Sequence, residues 1–146
     1  FTPAPTAPDA PAIASVVAGD GEAIVTFTPG ADNGSSITGY TALCGSGLSD
    51  FVTTNGPTSP ITVSGLTNGV AAFCVVSATN DVGTGPASAL SAPFTPEVDT
   101  DGDGVNDLLD NCVSIANPDQ TPSAINPNCG EACVTSGCAG TICENH

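Results

Sequence analysis

The chain carries 15 carboxylates and neither a Lys nor an Arg, and its one His is His146. Average globular chains mix both signs of charge, so this imbalance restricts both fold and function. Without side-chain cations nothing can neutralise phosphates, which excludes DNA and RNA as partners. Anionic membrane surfaces are disfavoured for the same reason. No carboxylate can form an ion pair with Lys or Arg, so close-set Asp residues must accept hydrogen bonds, bind a metal or stay solvated. Divalent cations are the natural partners. No apolar run is long enough to cross a bilayer, and no membrane insertion is expected. Phe1 leads into a Pro-rich stretch, which reads as a processed or excised chain.

The seven Cys, four of them after Asn128, indicate an oxidising compartment and a disulfide framework. A secreted protein, extracellular or at a cell surface, is expected. Seven is odd, so at least one Cys is free, joined to another chain, or paired outside this segment.

Residues 1–11 (FTPAPTAPDAP) read as an extended, polyproline-like arm. Residues 12–95 follow a different pattern, short apolar or alternating runs broken by Gly, Pro and Asn clusters. Seven strands are predicted: Ile13–Val17, Ala23–Phe27, Ile37–Cys44, Leu48–Thr54, Ile61–Val63, Val70–Thr79 and Ala87–Ala92. Strands of that length and spacing, with no sustained helical periodicity, predict an all-β antiparallel sandwich.

The stretches ITGYTALC (37–44) and SPITVSGLTNGVAAFCVVSATNDVGTGPASALS (59–91) resemble a bacterial fibronectin type III domain. The resemblance covers roughly residues 8–95 and implies a two-sheet sandwich. Two positions depart from the family. Phe27 stands where a Trp is usual, and Ala72 stands where a corner tyrosine is usual. Both changes remove anchoring across the sheets. In the register that the resemblance implies, Tyr40, Ala42 and Cys44 share the inner face of the third strand. Ala72, Cys74 and Val76 share that of the sixth, its sheet neighbour, so a Cys44–Cys74 disulfide is expected to compensate.

After Pro96 the carboxylates are spaced D-x-D-x-D-G-x-x-D-x-x-D. This is the calcium-loop pattern, in which Asp99, Asp101 and Asp103 occupy positions one, three and five. Gly104 allows the sharp turn at position six, Val105 offers its carbonyl, Asp107 fills position nine and Asp110 closes the shell. Calcium suits such a set because it takes six to eight oxygens at flexible angles. Pro96 blocks an entering helix, so an EF-hand is not expected. The string DTDGDGVNDLLDNCVSIANPDQ (99–120) instead resembles a thrombospondin type 3 repeat. That family folds around calcium and disulfides with little regular structure, and residues 96–120 are read as one repeat.

Residues 121–146 form a cysteine-rich tail. Cys112 pairs most simply with Cys129, leaving Cys133, Cys138 and Cys143 in the tail. Alternatively Cys129 belongs to the tail set and Cys112 pairs elsewhere, because spacing does not determine connectivity. A zinc site from Cys133, Cys138, Cys143 and His146 is the less favoured reading in a disulfide-permissive compartment.

No catalytic apparatus is legible. There is no internal His to activate a nucleophile, no G-x-S-x-G elbow and no Lys-bearing phosphate loop. The expected function is therefore an extracellular structural or adhesive protein stabilised by calcium and disulfides. A repeating subunit of a surface filament or coat is one form of it, with self-association or neighbouring subunits as partners. The alternative is an accessory spacer or binding segment of a larger secreted hydrolase that acts on polysaccharide. Glycans are further candidate partners, and Asn33-Gly34-Ser35 is an acceptor pattern for N-glycosylation at Asn33.

Overall fold

A computed structural model describes residues 3–47, 50–110, 112–114, 116 and 118–120. The chain divides into two units, with the break between Pro96 and Glu97. Six strands form in the first: β1 (Ala12–Gly19), β2 (Glu22–Thr28), β3 (Ile37–Gly45), β4 (Val52–Gly56), β5 (Ile61–Ser64) and β6 (Phe73–Asn80). They build two antiparallel sheets, β1-β2-β5 and β4-β3-β6. The described residues form no helix long and apolar enough to cross a membrane.

Period-two alternation decides which side chains enter the core. In β2, Ala23, Val25 and Phe27 point inward, and in β3 Tyr40, Ala42 and Cys44 do so. In β6 the inward set is Cys74, Val76 and Ala78. Two valines of the facing sheet, Val25 and Val63, are fully buried, each contributing about 1.5 kcal/mol or more. Phe27 and Tyr40 meet with ring centroids 4.8 Å apart, tilted by 55°.

Cys44 and Cys74 lie directly opposite each other and are bonded, Cα to Cα 4.2 Å. The backbone explains why they meet. The N–H and C=O of Cys74 both point away from β3, toward Ser91. Cys44–Cys74 is therefore a non-hydrogen-bonded pair, the site in an antiparallel ladder where opposed side chains come closest.

The seventh predicted strand, Ala87–Ala92, is not a strand. Residues 85–94 still follow the free side of β6, in steps of three residues against two. Gly85, Ser88, Ser91 and Phe94 donate their N–H groups to the carbonyls of Ala78, Val76, Cys74 and Ala72 at 2.8–3.0 Å. In return, the N–H groups of Val76 and Cys74 donate to the hydroxyls of Ser88 and Ser91, not to carbonyls. Serine oxygens thus satisfy the β6 donors without a ladder, a substitution that apolar patterning cannot reveal. The sixth strand also starts later than predicted, at Phe73, because Ala72 makes only an isolated bridge to Phe94. That two-way backbone bond stands where a corner tyrosine would otherwise tie the chain.

The Pro-rich arm lies on its own sandwich. Pro8 is fully buried, Thr6 donates its N–H to Asn33 O, and Asp9 donates to Ala31 O. Asn80, 4% exposed, donates its amide to the carbonyls of Thr6, Asp32 and Ser35 and accepts from Val82 and Gly83. The arm passes so close to residue 85 that a Cβ there would stand 1.9 Å from Pro8 O. Only glycine allows that approach.

Two outcomes follow. Cys44→Ala/Cys74→Ala is expected to lose about 3–4 kcal/mol of unfolding free energy, from a loop with a sequence separation of 30, measurable by denaturant titration. Gly85→Ala is expected to displace the arm and cost about 1–3 kcal/mol. Faster amide exchange at Thr6 and Asp9, with β2 and β3 still protected, would report that displacement.

Candidate metal centre

The loop after Pro96 is built from carboxylates that turn back onto backbone N–H groups. Asp99 accepts from Gly102 N through Oδ1 at 2.8 Å and from Gly104 N through Oδ2 at 2.9 Å. Asp101 Oδ1 accepts from Asp103 N, and Asp103 Oδ1 accepts from Val105 N. These short-range bonds need the chain to curl tightly, and Gly102 and Gly104 provide it with φ of 76° and 91°. The curl turns three side chains inward: ligand atoms of Asp99, Asp101 and Asp103 all lie within 4.8 Å of one another.

The remaining expected ligands are placed differently from one another. Both oxygens of Asp107 are engaged by Thr100, Oδ1 by its N–H and Oδ2 by its hydroxyl, each at 2.7 Å. Asp107 thus braces the start of the loop. Asp110 accepts from Cys112 N and Gln120 Nε2 through the same oxygen, Oδ1, which joins the loop to the segment after it. Its charge still reaches Asp101. Val105 is held at its N–H, as given above.

Asp101 is the anomalous member of the set. The residue is half-buried, but its Oδ2 is closed off from solvent and is the one buried side-chain oxygen among the described residues that lacks a hydrogen-bond partner. Loss of hydration raises its pKa above the ordinary carboxylate range. The Asp103 N–H opposes that shift, and the charges of Asp103, Asp110 and Asp99 reinforce it. A sequestered carboxylate oxygen beside two further carboxylates has no Lys or Arg in the chain to neutralise it. A hard cation with several oxygen ligands satisfies all three, so the residues present fit calcium.

Cys112 is buried and disulfide-bonded. Cys129, Cys133, Cys138, Cys143 and His146 lie outside the described residues, and with them the Cys112–Cys129 pairing and the zinc alternative. Asn33 has a φ of 55°, and its Nδ2 donates to Ala7 O at 2.9 Å and Asp9 Oδ1 at 3.0 Å. A glycan on that nitrogen would remove one of the two N–H donors of the Asn33 amide. The bracing by Asp107 was hidden from spacing alone. Thr100, a hydroxyl residue between two calcium-loop aspartates, is the only local signal of it.

A search of curated proteins returns no match. Residues 97–120 match the thrombospondin type 3 repeat family. Among solved structures, the titin kinase with its flanking domains is 22% identical, covering 62% of this chain and 17% of that one, with a TM-score of 0.53. The twitchin kinase region from C. elegans is 24% identical, covering 64% and 17%, with a TM-score of 0.50. The sixth fibronectin type III domain from human fibronectin type III domain containing protein 3 is 26% identical, covering 66% and 90%, with a TM-score of 0.50. The chain thus spans about a sixth of the length of the two kinase-containing structures. A sandwich with the fibronectin type III fold is followed in this chain by a segment, residues 97–120, that matches the thrombospondin type 3 repeat.

Proposed function

We propose that this chain is an extracellular, non-catalytic structural or adhesive segment whose second unit is ordered by calcium at Asp99, Asp101, Asp103 and Asp110. The sequestered, unpartnered Asp101 Oδ2 among converging carboxylates carries this reading. The two unit types support it, since both are typical of extracellular proteins and of non-catalytic roles. The disulfide at Cys44–Cys74 fits an oxidising compartment. In this reading Asp107 braces Thr100 as well as standing at position nine of the loop, Val105 offers its carbonyl, and calcium supplies the positive charge that Lys and Arg would otherwise bring. A subunit of a surface filament or coat is the form of the function we favour, because a protein without Lys or Arg offers trypsin-like proteases no cleavage site.

Calorimetric titration of the chain with calcium tests the proposal. Extracellular sites bind in roughly the 10⁻⁴–10⁻³ M range, so a hundredfold excess over Kd is expected to add about 2.7 kcal/mol to the stability of the second unit. Asp101→Asn is expected to weaken binding at least tenfold, while Asp107→Asn weakens it less and loosens the Thr100 amide. Absence of both heat and stabilisation at 10 mM calcium, a concentration set by that affinity range, would reject the reading.

A further inference from the structure

The structure assigns Gln120 as the positioning residue that holds Asp110 for the cation, an inference that rests on the calcium reading. Asp110 is the carboxylate of that set that is hardest to place. Asp99, Asp101 and Asp103 are fixed by N–H groups two to five residues further on, and their ligand atoms converge within 4.8 Å. Asp110 stands outside that group, although its charge reaches Asp101. Three carboxylates fall short of the six to eight oxygens that calcium takes, so the shell needs a further one held in place.

What holds Asp110 reaches further along the chain. Its N–H donates to Asn106 O at 2.9 Å. Its Oδ1 accepts from Cys112 N at 2.8 Å and, across ten residues, from Gln120 Nε2 at 2.9 Å. Its Oδ2 accepts from no described residue. One oxygen is tied and the other is left for a cation, as in ligating carboxylates steadied by an outer hydrogen bond. Cys112 is buried and disulfide-bonded, which makes its N–H a fixed donor. Gln120 supplies the second donor, and its backbone records what that requires. Its φ is 49°, in the left-handed region, where Asn33 is the other non-glycine among the described residues. Asn adopts that conformation readily and Gln does not. A strained backbone whose side chain reaches a ligand is a mark of function. The amide is also neutral, so it orients Asp110 and leaves the whole carboxylate charge to the metal. A Lys or Arg there would compete with the cation, and the chain has neither.

Titration of the full chain with calcium compares the unaltered protein with two variants. Gln120→Met keeps the side-chain length without a donor, and Gln120→Gly also relieves the backbone. Both should bind about tenfold to a hundredfold more weakly. In an Asp110→Ala background, Gln120→Met should add no further loss, because its effect passes through Asp110. Europium(III), an oxygen-seeking ion of calcium's size, gives a second readout. Its luminescence lifetimes in ordinary and heavy water count the waters on the ion. Gln120→Met should gain about one water, which replaces the Asp110 oxygen. Slow amide exchange at Gly102 and Gly104 in saturating metal verifies the Asp99 turn in each variant. Unchanged affinity in Gln120→Met, losses that add in the double variant, or weaker binding with no gain of water each overturn the inference. If the unaltered chain binds calcium and the variants match it, the positioning role alone falls. If the unaltered chain binds none, the calcium reading falls and takes this inference with it.

Discussion

A carboxylate without a cation must find its partners in backbone N–H groups, amides and hydroxyls, and this constraint recurs in several of the described loops. Asp32 takes Gly34 N, Asp20 takes the Asn68 amide, and Asp50 takes Ser46 and Gly47. The Asp50 hydrogen bonds, that from the Ser46 hydroxyl foremost, hold its pKa below the ordinary value. The same habit, repeated at Asp99, Asp101 and Asp103, curls the loop of the second unit. Where the backbone donors run out, at Asp101 Oδ2, the described residues offer no partner. Local charge imbalance therefore leads directly to a cation-shaped need.

β6 is the strand around which the sandwich is organised. One side pairs with β3, and the other is bonded by Gly85, Ser88, Ser91 and Phe94. That division of its backbone groups places Cys74 at the close-approach position opposite Cys44. At its far end Asn80 gathers three carbonyls from the arm and the 32–35 turn. The family tryptophan and corner tyrosine are missing, and the disulfide, the Phe27–Tyr40 pair and the Ala72–Phe94 bridge stand in their places. Cross-linking thus supplies rigidity where aromatic volume is reduced.

The two units face the same physical problem and solve it differently. The first buries small apolar residues between sheets and needs no charge compensation inside. The described residues of the second bury little apolar surface, with Leu108 and Leu109 exposed by 73% and 74%. Its order must come from hydrogen bonds, a disulfide at Cys112 and, in the reading proposed, a metal ion.

The sequence alone was enough for the all-β class, for five of the strand cores and for the Asp99–Asp101–Asp103 spacing around Gly104. Period-two alternation and glycine-dependent turns are local properties, so they are written in consecutive residues. The Cys44–Cys74 pair was legible too, through alternation combined with a family register. Tertiary structure decided what depends on partners far along the chain. Ala87–Ala92 looks like a strand until Ser88 and Ser91 are seen to offer hydroxyls in place of carbonyls. The arm reads as a linker until Gly85 is seen to admit Pro8 and Asn80 to hold Thr6. Asp107 has the spacing of a ligand, and the structure adds that both its oxygens bond Thr100. In each case the composition of a segment states which hydrogen bonds it can make, and only its neighbours in space determine which it makes.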